Sequence, residues 1–275
     1  MAEEMPYYTE EKDWKKRFEI TIPILLLILV FFVIAWKMSW LAGLPIIGEF
    51  FKGGAIDIAI IGNDQALYET IETNLKKDLP INTYVLNTSD LYAIRSADFF
   101  KKYSMIILTE GQNGDTIELE TLTLEYLKSF VDSGKPAIVI GLAGSKVKGS
   151  PQESGWSKLG FVPVACKNGR ITCEKTSPVS DVVKMFVKET NHPILKDFTP
   201  AELTFTYGTI KFTEVNPTTS GKELLQTEIT VGNLTFTEPG LIERIQPLGG
   251  GKVIYYPFHP SFYAPLLRNT IKYLR

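Results

Sequence analysis

Two histidines, His192 and His259, and two cysteines, Cys166 and Cys173, are all that this 275-residue chain offers of the usual soft ligands and strong nucleophiles. The cysteines flank KNGRIT, and with only two histidines to add, their spacing does not make a zinc site. They suit a disulfide in an oxidising compartment. A hairpin with Gly169-Arg170 as a type II′ loop sets the two cysteines directly opposite each other, at a separation compatible with bonding. A type I′ loop at Asn168-Gly169 sets them diagonally, where bonding is harder. Carboxylates and amides gather elsewhere. Asn63 and Asp64 follow one apolar run, and Glu110, Gln112 and Asn113 follow another. Such groups can bind a cation or a polar ligand, and they are equally common as turn formers. Gly249-Gly250-Gly251 precedes a strand rather than a helix, the reverse of a phosphate cradle, and reads as a turn. No metal site and no cofactor is expected. A net charge of −2 gives no basic field for nucleic acid.

These residues hang on alternating strands and helices. IDIAII (56–61), residues 82–86, MIIL (105–108) and AIVI (137–140) read as strands. Residues 66–77, 91–101 and 119–131 carry helical spacing between them, the last ended by Gly134. Short apolar strands between helices imply a parallel sheet covered on both faces. The second half differs. Residues 161–173 suggest a hairpin, 180–189 a helix, and 203–236 a Thr-rich antiparallel extension. VIYY (253–256) is a last core strand, and 262–274 a closing helix.

Ahead of this lies ITIPILLLILVFFVIAW, residues 20–36, without a charge. Seventeen such residues are at the short end of a membrane-spanning helix. Lys37 can snorkel, and the apolar stretch resumes at Met38, Trp40 and Leu41. The run is longer than a signal-peptide core and is apolar on every face, unlike a buried helix. The expected organisation is a cytoplasmic tail (1–18), a transmembrane helix (19–41), a connector (42–54) and one domain (55–275). Lys12, Lys15, Lys16 and Arg17 precede the helix and only Lys37 and Lys52 closely follow it, which puts the N-terminus in the cytoplasm and the domain outside. Sequons at Asn87-Thr88-Ser89 and Asn233-Leu234-Thr235 agree, with Asn87 and Asn233 as glycosylation positions.

A strand entering YSMIILTEGQ, another entering AIVIGLAGS and a late one entering YYPFHPS, with NHPILKDF and the ending GGGKVIYYPFHP…LLRNTIKYL, resemble class I glutamine amidotransferase-like domains over residues 55–275. The resemblance implies a flavodoxin-like three-layer α/β sandwich, with a mostly parallel sheet, a β-rich insertion and a cleft at the carboxyl ends of the strands. In that family a nucleophilic cysteine sits in a G-x-C-x-G turn. The matching Gly141-Leu142-Ala143-Gly144-Ser145 places Ala143 there, and a methyl group cannot attack a carbonyl. The family's His-Pro-Glu is matched by His259-Pro260, with Ser261 in place of the glutamate. Glutaminase activity is therefore not expected. The remaining candidates are a Ser145–His259 pair, with Asn63, Asp64, Glu110 and Gln112 lining the cleft. Ser145 also reads as a cap, and His259 as a packed ring.

The expected function is a non-catalytic binding or scaffolding domain, a pseudoenzyme held at the outer face within a membrane or envelope complex, its partners the bilayer and other membrane proteins. The alternatives are an extracytoplasmic hydrolase using His259 with Ser145 or a cleft carboxylate, and a ligand-binding sensor subunit.

Overall fold

The computed structural model describes residues 22–23, 25–31, 55–110, 117–171, 173–175, 182–199, 203–206, 210–231, 234–245 and 250–275. The chain divides into two units, Met1–Gly54 and Ala55–Arg275. In the first, residues 22–23 and 25–31 are helical and their apolar side chains are exposed, Leu27 to 72%. The rest of the expected 19–41 span lies outside the described residues. Among the described residues, no helix is long and apolar enough to cross a membrane.

The second unit opens with β1 (Ile56–Ile61) and α1 (Gln65–Thr70), which continues as a π-helical turn over Ile71–Leu75. β2 (Ile81–Leu86), α2 (Thr88–Ala93), a 3-10 turn (Ala97–Lys102) and β3 (Met105–Leu108) follow. Next come β4 (Glu118–Leu119), α3 (Thr121–Asp132), β5 (Ala137–Ile140), β6 (Lys146–Val147), β7 (Ser150–Ser154) and α4 (Gly155–Leu159). The later part holds β8 (Val164–Cys166), β9 (Val182–Val187), β10 (Thr204–Thr206), β11 (Val215–Pro217) and the long hairpin of β12 (Gly221–Val231) and β13 (Leu234–Arg244). β14 (Val253–Tyr256), a 3-10 turn (Pro260–Tyr263) and α5 (Ala264–Leu274) close it.

Nine strands form one sheet in the order β10-β9-β12-β13-β14-β5-β3-β1-β2. The five from β14 to β2 pair in parallel; the other four extend the sheet antiparallel. The parallel half has the flavodoxin-like order 2-1-3-4-5. Its layers follow from the period of two in a strand. Ile58, Ile60, Ile107, Ile138 and Ile254 face one core with Leu67, Ile71 and Leu75 of the first helix and Leu267 and Ile271 of α5. Ala59, Ile61, Ile106, Val139 and Tyr255 face the other with Leu91, Leu124, Leu127 and Leu159. Each fully buried Leu or Ile contributes about 1.5–3 kcal/mol.

Three expectations are corrected. Residues 180–189 form no helix where described; β9 runs through 182–187 and pairs antiparallel with β12. Exposed Lys184, buried Met185 and exposed Phe186 alternate as a half-buried strand does. The expected 91–101 helix is broken. α2 ends at Ala93, extended Ile94 follows, and Ser96 accepts the Asp98 N–H to start the 3-10 turn. The 161–173 hairpin is replaced by a tight turn after β8. Gly169, at φ +66°, donates to the Cys166 carbonyl, and the hydrogen-bonded partner of β8 is β11. The turn still brings the cysteines together, and Cys166–Cys173 is a disulfide with a Cα–Cα distance of 4.7 Å.

Candidate functional site

β1 and β3 are neighbours whose connections leave to opposite sides, which makes their carboxyl ends the topological switch point of the parallel half. Gly62, at φ +137°, ends β1 there; a Cβ would lie 2.6 Å from the Thr109 carbonyl oxygen. The chain then turns into α1 at Asp64, the helix cap, whose Oδ1 accepts the Leu67 N–H at 2.9 Å. Its Oδ2 accepts the Thr109 hydroxyl and lies 2.6 Å from His259 Nε2. Thr109 leaves β3, and His259 follows β14. The Asp64 side chain is wholly buried, and the His259 side chain is 14% exposed.

Burial alone would raise the Asp64 pKa. The hydrogen bond and charge of His259, then Thr109 and the Leu67 N–H, outweigh it and hold the carboxyl below its ordinary value. An ionised carboxylate only accepts, so Nε2 carries the proton. On the other side of the ring, Ser261 Oγ lies 2.5 Å from Nδ1, and the Ser261 N–H also points at Nδ1, at 3.4 Å. When the ring is neutral its lone pair sits there, and the Ser261 hydroxyl donates to it. The order is thus Asp64 carboxylate, His259, Ser261 hydroxyl. Asp64 orients the ring, the task that the resemblance assigns to a glutamate in the position of Ser261.

A second polar centre lies at the end of β5. Gly141, at φ +56°, turns the chain, and a Cβ would lie 2.3 Å from the Glu110 carboxylate. Glu110 Oε2 accepts the Leu142 N–H at 2.7 Å, while Oε1 pairs with Lys175 Nζ at 2.7 Å. Ala143 is 1% exposed, and its carbonyl accepts the Trp156 indole N–H at 2.8 Å. Trp156 stacks edge-on against Tyr255, whose hydroxyl donates to the Gly141 carbonyl at 3.0 Å. Burial, and then the Glu110 charge, push the Tyr255 pKa up, so it stays a neutral donor. The turn that would hold a nucleophile is therefore capped by an alanine, an indole and a carboxylate.

The candidates from sequence separate accordingly. Asp64 and His259 are together; Glu110 belongs to the second centre. Ser145 is fully buried and its hydroxyl has no hydrogen-bond partner among the described residues, so it is not the partner of His259. Asn63 is exposed beside Asp64, and Asn87 is exposed before α2. Gln112, Asn113 and Asn233 lie outside the described residues. Among the described residues no group of three His, Cys, Asp or Glu is placed to hold a metal ion. Sequence reasoning missed Thr109, Trp156 and Lys175. Thr109 adjoins Glu110 and was within reach of the strand-end argument. Nothing local marks Lys175, which the disulfide loop carries to a residue 65 positions away.

No protein-family model matches the chain, and no curated protein matches it. Solved structures do. A ThuA-like protein from Bacteroides uniformis is 12% identical over 80% of this chain and 91% of its own, with a TM-score of 0.51. Another from Parabacteroides merdae is 10% identical over 78% and 88%, with a TM-score of 0.51. A β-galactosidase from the haloarchaeon Halorubrum lacusprofundi is 11% identical over 80% of this chain and 30% of its own, at 0.50. The domain therefore has the fold of the ThuA-like structures, built on a flavodoxin-like strand order.

Proposed function

We propose that this chain is a membrane-held, extracytoplasmic binding or scaffolding domain of a membrane or envelope complex, without amidotransferase chemistry. The observation that carries the reading is the Glu110 carboxylate on the Leu142 N–H, beside Ala143. A tetrahedral oxyanion needs a free donor near the attacking atom. Here the attacking atom is absent, and the N–H just before it is already taken by a carboxylate. The charge-free run at 20–36, with every described apolar side chain in it exposed, supports a bilayer as its surroundings. The disulfide and the basic N-terminal flank favour an outward-facing domain. Extraction from native membranes in mild detergent, followed by sizing and mass spectrometry, tests the reading. Co-elution with a stoichiometric membrane protein is expected; a monomer free of partners would overturn it.

A second reading is a hydrolase that works through His259. It is favoured by the buried Asp64–His259 pair at 2.6 Å, the arrangement by which a carboxylate sets the tautomer of a general base. Hydrolysis of acyl esters by the purified chain, lost in His259→Gln, is its test; unchanged turnover in that variant would exclude it.

A further inference from the structure

Both ring nitrogens of His259 are engaged, Nε2 by Asp64 and Nδ1 by Ser261. The imidazole therefore has no free nitrogen for a substrate or a water, and any proton it takes must arrive through the Ser261 hydroxyl. Asp64 is wholly buried, and His259 and Ser261 are both partly exposed, so the row leads outward from the interior. Carboxylate, imidazole and hydroxyl stand in the order of a nucleophile-activating relay, with the two ring nitrogens exchanged relative to the serine-protease arrangement.

Resting on the hydrolase reading, we propose that Ser261 is the nucleophile of an acyl-transfer site on esters, with His259 as its base and Asp64 as the residue that positions His259. Ser261 Oγ bonds to the ester carbonyl carbon as its proton passes to His259 Nδ1, and the carbonyl π pair moves onto oxygen. That pair then re-forms the carbonyl, the bond to the leaving alkoxide breaks, and the Nδ1 proton goes to the alkoxide, releasing an alcohol. Water repeats the sequence on the acyl-serine. Its proton goes to Nδ1, its oxygen bonds to the carbon, and Ser261 Oγ departs with the proton, leaving a carboxylic acid. Nothing is oxidised or reduced, and Asp64 stays ionised throughout. An ester suits the site because an alkoxide leaves more readily than an amide nitrogen and asks less of the base.

The test is a fluorophosphonate, which phosphonylates an activated serine with loss of fluoride, applied to the full chain in detergent and read by peptide mapping. The expected result is a single adduct on Ser261, absent in Ser261→Ala and formed at least about a hundredfold more slowly in His259→Gln, the lower range of a general base's contribution. An adduct on another serine that still depends on His259 would overturn the role of Ser261 and leave the hydrolase reading standing. No adduct on the wild-type chain would overturn both. Ser261→Cys provides a readout that does not require Asp64 or His259 variants to fold equally well. Cys166 and Cys173 are bonded, so the new thiol is the one free thiol of the chain. Its alkylation by iodoacetamide at neutral pH is expected to be faster than that of a free cysteine. A rate equal to the free amino acid's would contradict activation by His259.

Discussion

Removing Lys175 would leave the Glu110 carboxylate buried with the Leu142 N–H as its remaining partner. Both side chains are under one-fifth exposed, so the pair is not a screened surface contact. Breaking such a pair from one side costs about 3–5 kcal/mol, while removing both charges costs much less. Lys175→Met is therefore expected to lower the urea midpoint sharply, and Lys175→Met with Glu110→Gln to recover most of the loss. Equal midpoints for the two variants would mean that the charge pair does not seal the turn. Asp64 makes a prediction in pH. Its folded pKa lies below its ordinary 3.8, so its contribution is whole above that value and fades as the pH falls through the lower folded one. Glu243 and Glu72 are lowered as well, but they act in wild type and variant alike. The stability difference between wild type and Asp64→Asn should thus shrink on acidification below about pH 4. Denaturation curves at stepped pH measure it, and a constant difference would contradict an ionised Asp64.

At the scale of elements, the disulfide holds more than its own turn. Lys167 directly follows Cys166 and pairs with the buried Glu238 at 2.7 Å; Lys175 lies two residues past Cys173 and pairs with Glu110. The bond closes a short loop, seven positions from Cys to Cys, worth about 2–3 kcal/mol in the chain-entropy account. Replacing both cysteines by alanine should cost more than that, because each lysine then holds its carboxylate from a looser segment. Calorimetry of the variant measures it; a loss under about 2 kcal/mol would show the loop standing without its bond. The same elements show what was legible in the sequence. β3, β5 and β14 are short uncharged runs, and β1 is one broken only by Asp57, the near-continuous pattern of strands buried on both faces. Asp64 and His259 were legible as residues that follow such strands. Their pairing stood as one alternative beside Ser145 and Glu110, and the choice among them depends on the sheet order β1-β3-β5-β14 and on the rotamers that close over it. β9 was misread because VVKMFV fits a short helix turn as well as an alternating strand; the pairing with β12 decides, and that is a tertiary fact.

For the whole molecule, two features stand beside each other: a domain with the ThuA-like fold whose β5 turn carries Ala143, and a charge-free N-terminal run at 20–36. The proposed reading joins them as a task of place more than of turnover. If the domain faces outward, an impermeant thiol reagent applied to intact cells after mild reduction should label Cys166 and Cys173. Labelling only after the cells are broken would put the domain on the inner side. The central claim, that residues before Ala55 hold the domain at a bilayer, is tested most directly by washing membranes at alkaline pH. The full chain should stay with the membrane pellet, while a chain beginning at Ala55 should move to the supernatant. Release of the full chain into the supernatant would contradict it.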